Sequence, residues 1–137
     1  MGEIRTQVKL TNLLDETLFR HGQIPQSDVR SYVADAMVDT GAVRSVVPSH
    51  VLEVLGVGTR GKRVAEYADG RKDSVNITEG IVFNVQGRDT LEEALVLGDE
   101  VLIGQTVLEK LDLLADCANR RLIPNPAHPD QPVSKVK

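Results

Sequence analysis

Apolar and polar residues alternate with period two over Ile4-Arg5-Thr6-Gln7-Val8-Lys9-Leu10, as in a strand that buries one face. A second run of this kind, with Tyr32, Ala34, Ala36 and Val38 on one side, follows a loop over residues 21–28 that contains Gly22 and Pro25. Residues 62–67 and 72–77 read as two further strands, hinged at Asp69-Gly70, the strongest short hairpin signal in the chain. Residues 81–85 and 94–97 read as another antiparallel pair around a turn at 86–89, and 113–115 with 121–123 as a last hairpin across Ala118-Asn119. Two short helices interrupt the strands. One spans residues 48–55: Pro48 suits a first turn, Val51, Leu52 and Leu55 share a face, and Gly56 can stop it. The other begins at Thr106-x-x-Glu109, which has the spacing of a capping box, and carries Leu108 and Leu111. Short strands at regular spacing with no internal repeat predict an all-β domain, a closed or nearly closed barrel with one or two short helices, over residues 1–123. From Pro124 onward, Pro126, Pro129 and Pro132 predict a proline-rich tail over 124–137, a mobile or extended end rather than core.

Composition narrows the function classes. A chain of 137 residues buries one sizeable core and not two, and with aromatics at 3% and no Trp that core must be aliphatic. The net charge is −4, and the 16 basic residues are scattered apart from pairs such as Lys62-Arg63, Arg71-Lys72 and Arg120-Arg121. Such pairs read as solvated faces, so no nucleic-acid partner is expected. The single Cys117 has no intrachain partner, which suits a reducing compartment. No apolar run reaches the length of a membrane span, and Met1-Gly2-Glu3-Ile4-Arg5 lacks the basic-then-apolar build of a signal peptide. The chain reads as soluble and cytoplasmic, with no membrane partner. His21, His50 and His128 lack metal-ligand spacing with one another or with Cys117, and the chain has no phosphate-binding Gly-rich loop and no Gly-x-Ser-x-Gly elbow. Neither metal nor cofactor is expected.

The chemistry concentrates at Asp39-Thr40-Gly41-Ala42, where the second alternating run throws a carboxylate into a glycine turn. Asp, Thr and Gly are ordinary turn residues, so the context decides. After Ala42 come the two-residue spacer Val43-Arg44, then Ser45-Val46-Val47; much later come Val101-Leu102-Ile103-Gly104-Gln105 and Thr106-Val107-Leu108-Glu109. Together the two landmarks, within residues 36–113, resemble those of the retropepsin-like aspartic proteases, the retroviral-type single-lobe members found in viruses and microbes.

The resemblance implies an acid-protease barrel lobe that works as a homodimer on a peptide or protein substrate. Hydrolysis without a covalent intermediate needs one carboxylate to activate water and a protonated one to polarise the scissile carbonyl. The chain holds one Asp-Thr-Gly: Asp73-Ser74 runs into Val75, and Asp89-Thr90 into Leu91. A twofold dimer would supply the second Asp39. The Gly41 N–H would then hold the Asp39 carboxylate, Thr40 would reach across the axis, and Ala42 would lie beneath substrate backbone. Leu102 and Ile103 would wall the loop off from water, while Gly104 either leaves room for that loop or is a plain strand-to-helix junction. Tyr67, Ala68, Asp69 and Gly70 are the flap candidates. Their hairpin, from Glu66 to Lys72, departs from apolar, glycine-rich viral flaps in being charged. Tyr67 reads better as a cross-strand packing residue than as an active-site one, and Asp35 as a solvent-facing strand carboxylate. Arg44 either braces the loop or the dimer through a salt bridge, or faces solvent. Two readings from other classes stand beside the peptidase: a catalytically silent homodimeric peptide-binding module of the same fold, and an unrelated β-barrel in which Asp-Thr-Gly is only a turn.

Overall fold

The first alternating run buries Ile4, Val8 and Leu10 and leaves Arg5, Gln7 and Lys9 outside, making strand β1 (Ile4–Asn12) the spine of the molecule. In the computed structural model, residues 3–136 are described; Met1 and Gly2, which open the segment read as lacking a signal peptide, and Lys137, which ends the tail, lie outside the described residues. After β1 come α1 (Leu13–Arg20), a single 3-10 turn (Gln26–Asp28), β2 (Ser31–Val38), β3 (Val46–Val47), α2 (Ser49–Leu55) and β4 (Thr59–Glu66). Then follow β5 (Lys72–Thr78), β6 (Ile81–Val85), β7 (Arg88–Glu92), β8 (Leu95–Val96), β9 (Leu102–Ile103), α3 (Gln105–Leu111), β10 (Leu113–Asp116) and β11 (Arg121–Pro124).

Nine strands form one sheet in the order β4-β5-β8-β3-β9-β2-β1-β6-β7, curled into a half-barrel, and β10 pairs with β11 as a separate ribbon. The fold is all-β as expected, with three short helices rather than one or two. Inside the curl pack Val8, Leu10, Leu55, Ile81, Phe83, Ile103, Leu108 and Leu111, an aliphatic core with one aromatic ring. Helix α2 runs where the pattern placed it, with Gly56 at its C-terminus in the left-handed region (φ 65°). No helix among the described residues is long and apolar enough to cross a membrane.

Two elements escaped the hydrophobic pattern, for one reason. Helix α1 buries no apolar stripe: Leu14 and Phe19 are exposed, and the residue it buries is Asp15. Its start is fixed by the Asn12 side chain, which accepts the Asp15 N–H at 3.1 Å and donates to the Leu55 carbonyl at 2.9 Å. Strand β7 likewise turns Arg88 and Glu92 inward. The partner of β6 is therefore β7, through a two-residue turn at Gln86 (φ 54°) and Gly87 (φ 80°), and not residues 94–97. Those residues contribute β8, which pairs with β5 and β3.

Charged side chains staple the periphery. The Arg30 backbone N–H and Nε donate to Asp15 Oδ2 at 3.0 and 2.9 Å, while Nη2 donates to Oδ1 at 3.1 Å, tying the segment before β2 to α1. The proline-rich tail begins in β11, which ends at Pro124; its described residues beyond that have no regular structure, yet the tail returns to the body at Asp112, whose carboxylate accepts from Asn125 Nδ2 (3.0 Å) and the Val133 N–H (3.1 Å) and lies 2.6 Å from His128 Nδ1. Arg88 donates to the carbonyls of Leu111, Asp112 and His128, clamping the end of α3 and the tail together.

The Arg30 side-chain bonds hold the Asp15 carboxyl below the usual carboxylate range, against the opposing effect of burial. A lowered native value means that the stabilisation is present above the unfolded value, near pH 4, and is lost as pH falls through the native one. Asp15→Asn is expected to lower the urea midpoint at pH 7 and to flatten the decline of stability below about pH 4. Parallel midpoint-against-pH curves for the two proteins would contradict this role.

Candidate active site

Sheet order dictates the site. Strand β9 lies between β2 and β3, parallel to β2 (Met37 opposite Leu102, Val38 opposite Ile103) and antiparallel to β3 (Val46 opposite Leu102). The chain leaving β2 must therefore step over the end of β9 to reach β3. That step is the loop carrying Asp39-Thr40-Gly41-Ala42, and what it steps over is Gly104. The two landmarks, remote in sequence, meet here.

Gly104 is needed for this approach. A Cβ built on it would lie 2.5 Å from the Arg44 carbonyl carbon, 2.6 Å from its oxygen and 2.9 Å from Ser45 N, all backbone atoms that no rotamer change can move. Gly104 is also the N-cap of α3, so the two sequence readings of this residue hold together: it is a strand-to-helix junction and it gives the loop room. Its N–H donates to the hydroxyl oxygen of the fully buried Ser45 at 2.9 Å.

The loop caps the helix. Without a side chain at Gly104, the first N–H groups of α3 would be unpaired. The Gln105 N–H donates to the Ala42 carbonyl at 2.8 Å and the Thr106 N–H to the Val43 carbonyl at 3.1 Å. No capping box forms. The Thr106 hydroxyl turns outward instead, 2.9 Å from the Val43 carbonyl and 2.8 Å from Glu92 Oε1.

Asp39 is positioned from both sides. Its N–H donates to the Ile103 carbonyl at 2.9 Å, continuing the β2–β9 ladder, and its carbonyl accepts the Ala42 N–H at 3.2 Å. Its carboxylate Oδ1 accepts the Gly41 N–H at 3.0 Å. Asp39 and Ala42 are half-buried, while Thr40 and Gly41 are exposed. Ile103 is fully buried behind the loop; Leu102 is half-buried beside it. Thr40 opens on a hollow of about 330 Å³ lined by Ile4, Met37, Val38, Ala115 and Cys117. A wider hollow, about 710 Å³, borders the loop at Val43 and Arg44 and is lined also by Arg60, Leu91, Thr106 and Lys110.

The other residues singled out in the sequence fall as follows. Asp35 lies exposed on β2 and pairs with Arg5 at 2.9 Å. Arg44 reaches Glu93 at 3.6 Å, and Arg60 reaches the same carboxylate at 3.3 Å. The β4–β5 hairpin turns at Tyr67, Ala68, Asp69 and Gly70: the Gly70 N–H donates to the Tyr67 carbonyl at 2.9 Å, and Gly70 has φ 87°. Tyr67 carries the Arg71 guanidinium over its ring at 4.8 Å, and Asp69 accepts from the Arg71 N–H and Nε at 3.0 and 2.7 Å. Those bonds, the backbone one foremost, hold the Asp69 carboxyl below its ordinary range. Among the described residues no group of three or more His, Cys, Asp or Glu side chains has the arrangement of a metal site. Sequence reasoning did not find Glu92, a charged residue in an unrecognised strand, and no motif marks it.

No family model matches the chain, and no curated protein matches it in sequence. Among solved structures it is similar to the crystal structure of the retroviral protease-like domain of Ddi1 from Leishmania major, with a TM-score of 0.55 and 18% identity over 92% of this chain and 90% of that one. The fold is retropepsin-like.

Gly104→Ala tests the crossing. Its methyl meets backbone 2.5 Å away, so the loop must shift, and overpacking of this kind costs about 1–3 kcal/mol. Thermal unfolding is expected to show that loss, with Gly104→Val losing more. Unchanged melting of both variants would mean that the two landmarks do not depend on each other.

Proposed function

We propose that the chain is an aspartic endopeptidase that acts as a homodimer, with Asp39 of each copy forming the catalytic pair. The observation that carries this reading is the Asp39 carboxylate itself, fixed by the Gly41 N–H at 3.0 Å on an exposed loop that the second landmark holds from behind. A single lobe provides one such carboxylate. Thr40 is exposed at the tip of the loop beside the half-buried Met37 and Val38, a surface suited to a twofold contact between loops.

In such a dimer two carboxyl groups about 3 Å apart share one proton. The ionised one takes a proton from water, the water oxygen attacks the scissile carbonyl carbon, and the protonated one donates to the carbonyl oxygen. The newly protonated carboxyl then donates to the leaving nitrogen, the C–N bond breaks, and a hydroxyl of the collapsing diol returns its proton to the other carboxylate, which restores the pair with one proton. Extended peptide would run along Ala42 and Val43, with side chains entering the wider hollow near Arg44 and Arg60, and the β4–β5 hairpin would serve as the flap through Tyr67, Ala68, Asp69 and Gly70.

One observation favours a second reading. The hairpin turn is charged and closed on itself by Arg71, Asp69 and Tyr67, which suits a silent dimer that binds peptide in the same groove without closing over it.

The peptidase reading predicts cleavage of an unfolded protein with a bell-shaped profile on the acidic side of neutrality, suppressed by a statine-type transition-state mimic. Asp39→Asn is expected to abolish cleavage and leave fold and dimer mass intact. Excess Asp39→Asn protein mixed with wild type should lower activity well beyond dilution, as wild-type chains are drawn into dead heterodimers. Undiminished activity in mixtures that mass spectrometry shows to be mostly heterodimer would sink the shared pair. A well-formed dimer that binds peptide and cleaves nothing at any pH would transfer the assignment to the binding module.

A further inference from the structure

We infer that Glu92 is a positioning residue for the loop that carries Asp39, acting through Thr106; as a statement about catalysis this rests on the peptidase reading. Glu92 ends edge strand β7, outside both landmarks, and its side chain is only 7% exposed. A carboxylate so placed needs partners. It has two, both on α3: the Thr106 hydroxyl 2.8 Å from Oε1, and Lys110 Nζ 3.1 Å from Oε2. These partners stand four residues apart and so lie on one face of the helix.

Thr106 is the link. Its N–H and hydroxyl both meet the Val43 carbonyl, at 3.1 and 2.9 Å, one residue beyond Ala42. Between Asp39 and Ser45, which bond to the sheet through Ile103 and Leu95, the loop has no ladder, and its carbonyls at Ala42 and Val43 are held from outside by the first turn of α3. The position of that turn therefore sets the position of the loop. Glu92 fixes the turn to the sheet: it grips the side chains of the first and second turns of α3 from β7, which is itself laddered to β6. The hydroxyl has one proton for two acceptors, and when it goes to Glu92 the Thr106 N–H still pairs with the Val43 carbonyl, so Thr106 can hold both at once. The brace runs from β7 through Glu92 and Thr106 to Val43.

The test reads the loop directly, with no need for turnover. In Glu92→Leu, the amides of Gly41, Ala42, Gln105 and Thr106 are expected to exchange with deuterium about tenfold faster or more in NMR spectra, while those of Val8, Leu10 and Ala34 in the central strands keep their rates. Glu92→Gln still bonds the Thr106 hydroxyl and is expected to restore most of the protection. In cleavage assays Glu92→Leu should lower kcat roughly tenfold or more, because a displaced carboxylate loses the reacting geometry; Glu92 also lines the wider hollow, so the loop amides, and not KM, are the deciding readout. Should Glu92→Leu fail to fold, Thr106→Val cuts the same link and Thr106→Ser restores it. Loop amides unchanged in both disrupting variants, or exchange that rises evenly across the sheet, would overturn the brace. If the wild-type protein cleaves nothing, the peptidase reading fails alone, and exchange at those four amides still decides whether Glu92 holds the loop.

Discussion

The step of one chain segment over another at Gly104 is the constraint on which the site depends. With β9 between β2 and β3, the connection from β2 to β3 has no route except across the end of β9, and the backbones of Arg44 and Gly104 come closer there than any side chain permits. The closeness has chemical use. It brings the carbonyls of Ala42 and Val43 onto the unpaired N–H groups of α3, so loop and helix satisfy each other's backbone needs. Asp39 is held by its own turn and by Ile103, and the mutual capping fixes the loop just beyond it. The parallel pairing of β2 with β9 joins strands far apart in the chain, so the loop gains its final shape only when a long closure has been made.

Away from the site, the same economy recurs with charged residues. The aliphatic core is completed at its margins by side chains that reach backbone groups, Asp15 with Arg30, Arg88 with the end of α3 and Asp112 with the tail, and by Glu92, which holds the Thr106 and Lys110 side chains of α3. The Asp112 carboxyl sits below its ordinary range chiefly because Asn125 donates to it.

This explains which parts of the molecule could be read in advance. β1, β2, α2 and the β4–β5 hairpin announce themselves because apolar spacing or a glycine turn is the physical cause of each. The association of the two landmarks came from the family resemblance, and the residues alone left Gly104 open between making room for the loop and a plain strand-to-helix junction. Helix α1 and strand β7 were not legible, because the residues they bury are Asp15, Arg88 and Glu92, and hydrophobic period is silent where burial is polar. The apparent capping box at Thr106 misled for a related reason: a local pattern offered one partner for the hydroxyl, while the folded chain offered Val43 and Glu92.

The two ends of the curled sheet leave edge strands whose backbone groups could pair with a further strand. β4 is exposed along most of its length, carries Arg60, Lys62 and Arg63, and is broken by an irregular pairing between Thr59 and Gly61. At the other end, Lys110 donates to the Leu91 carbonyl of β7. Cationic side chains and a bulge on a free border discourage a further strand from adding there. Both borders of the sheet thus carry features that oppose the addition of a further strand.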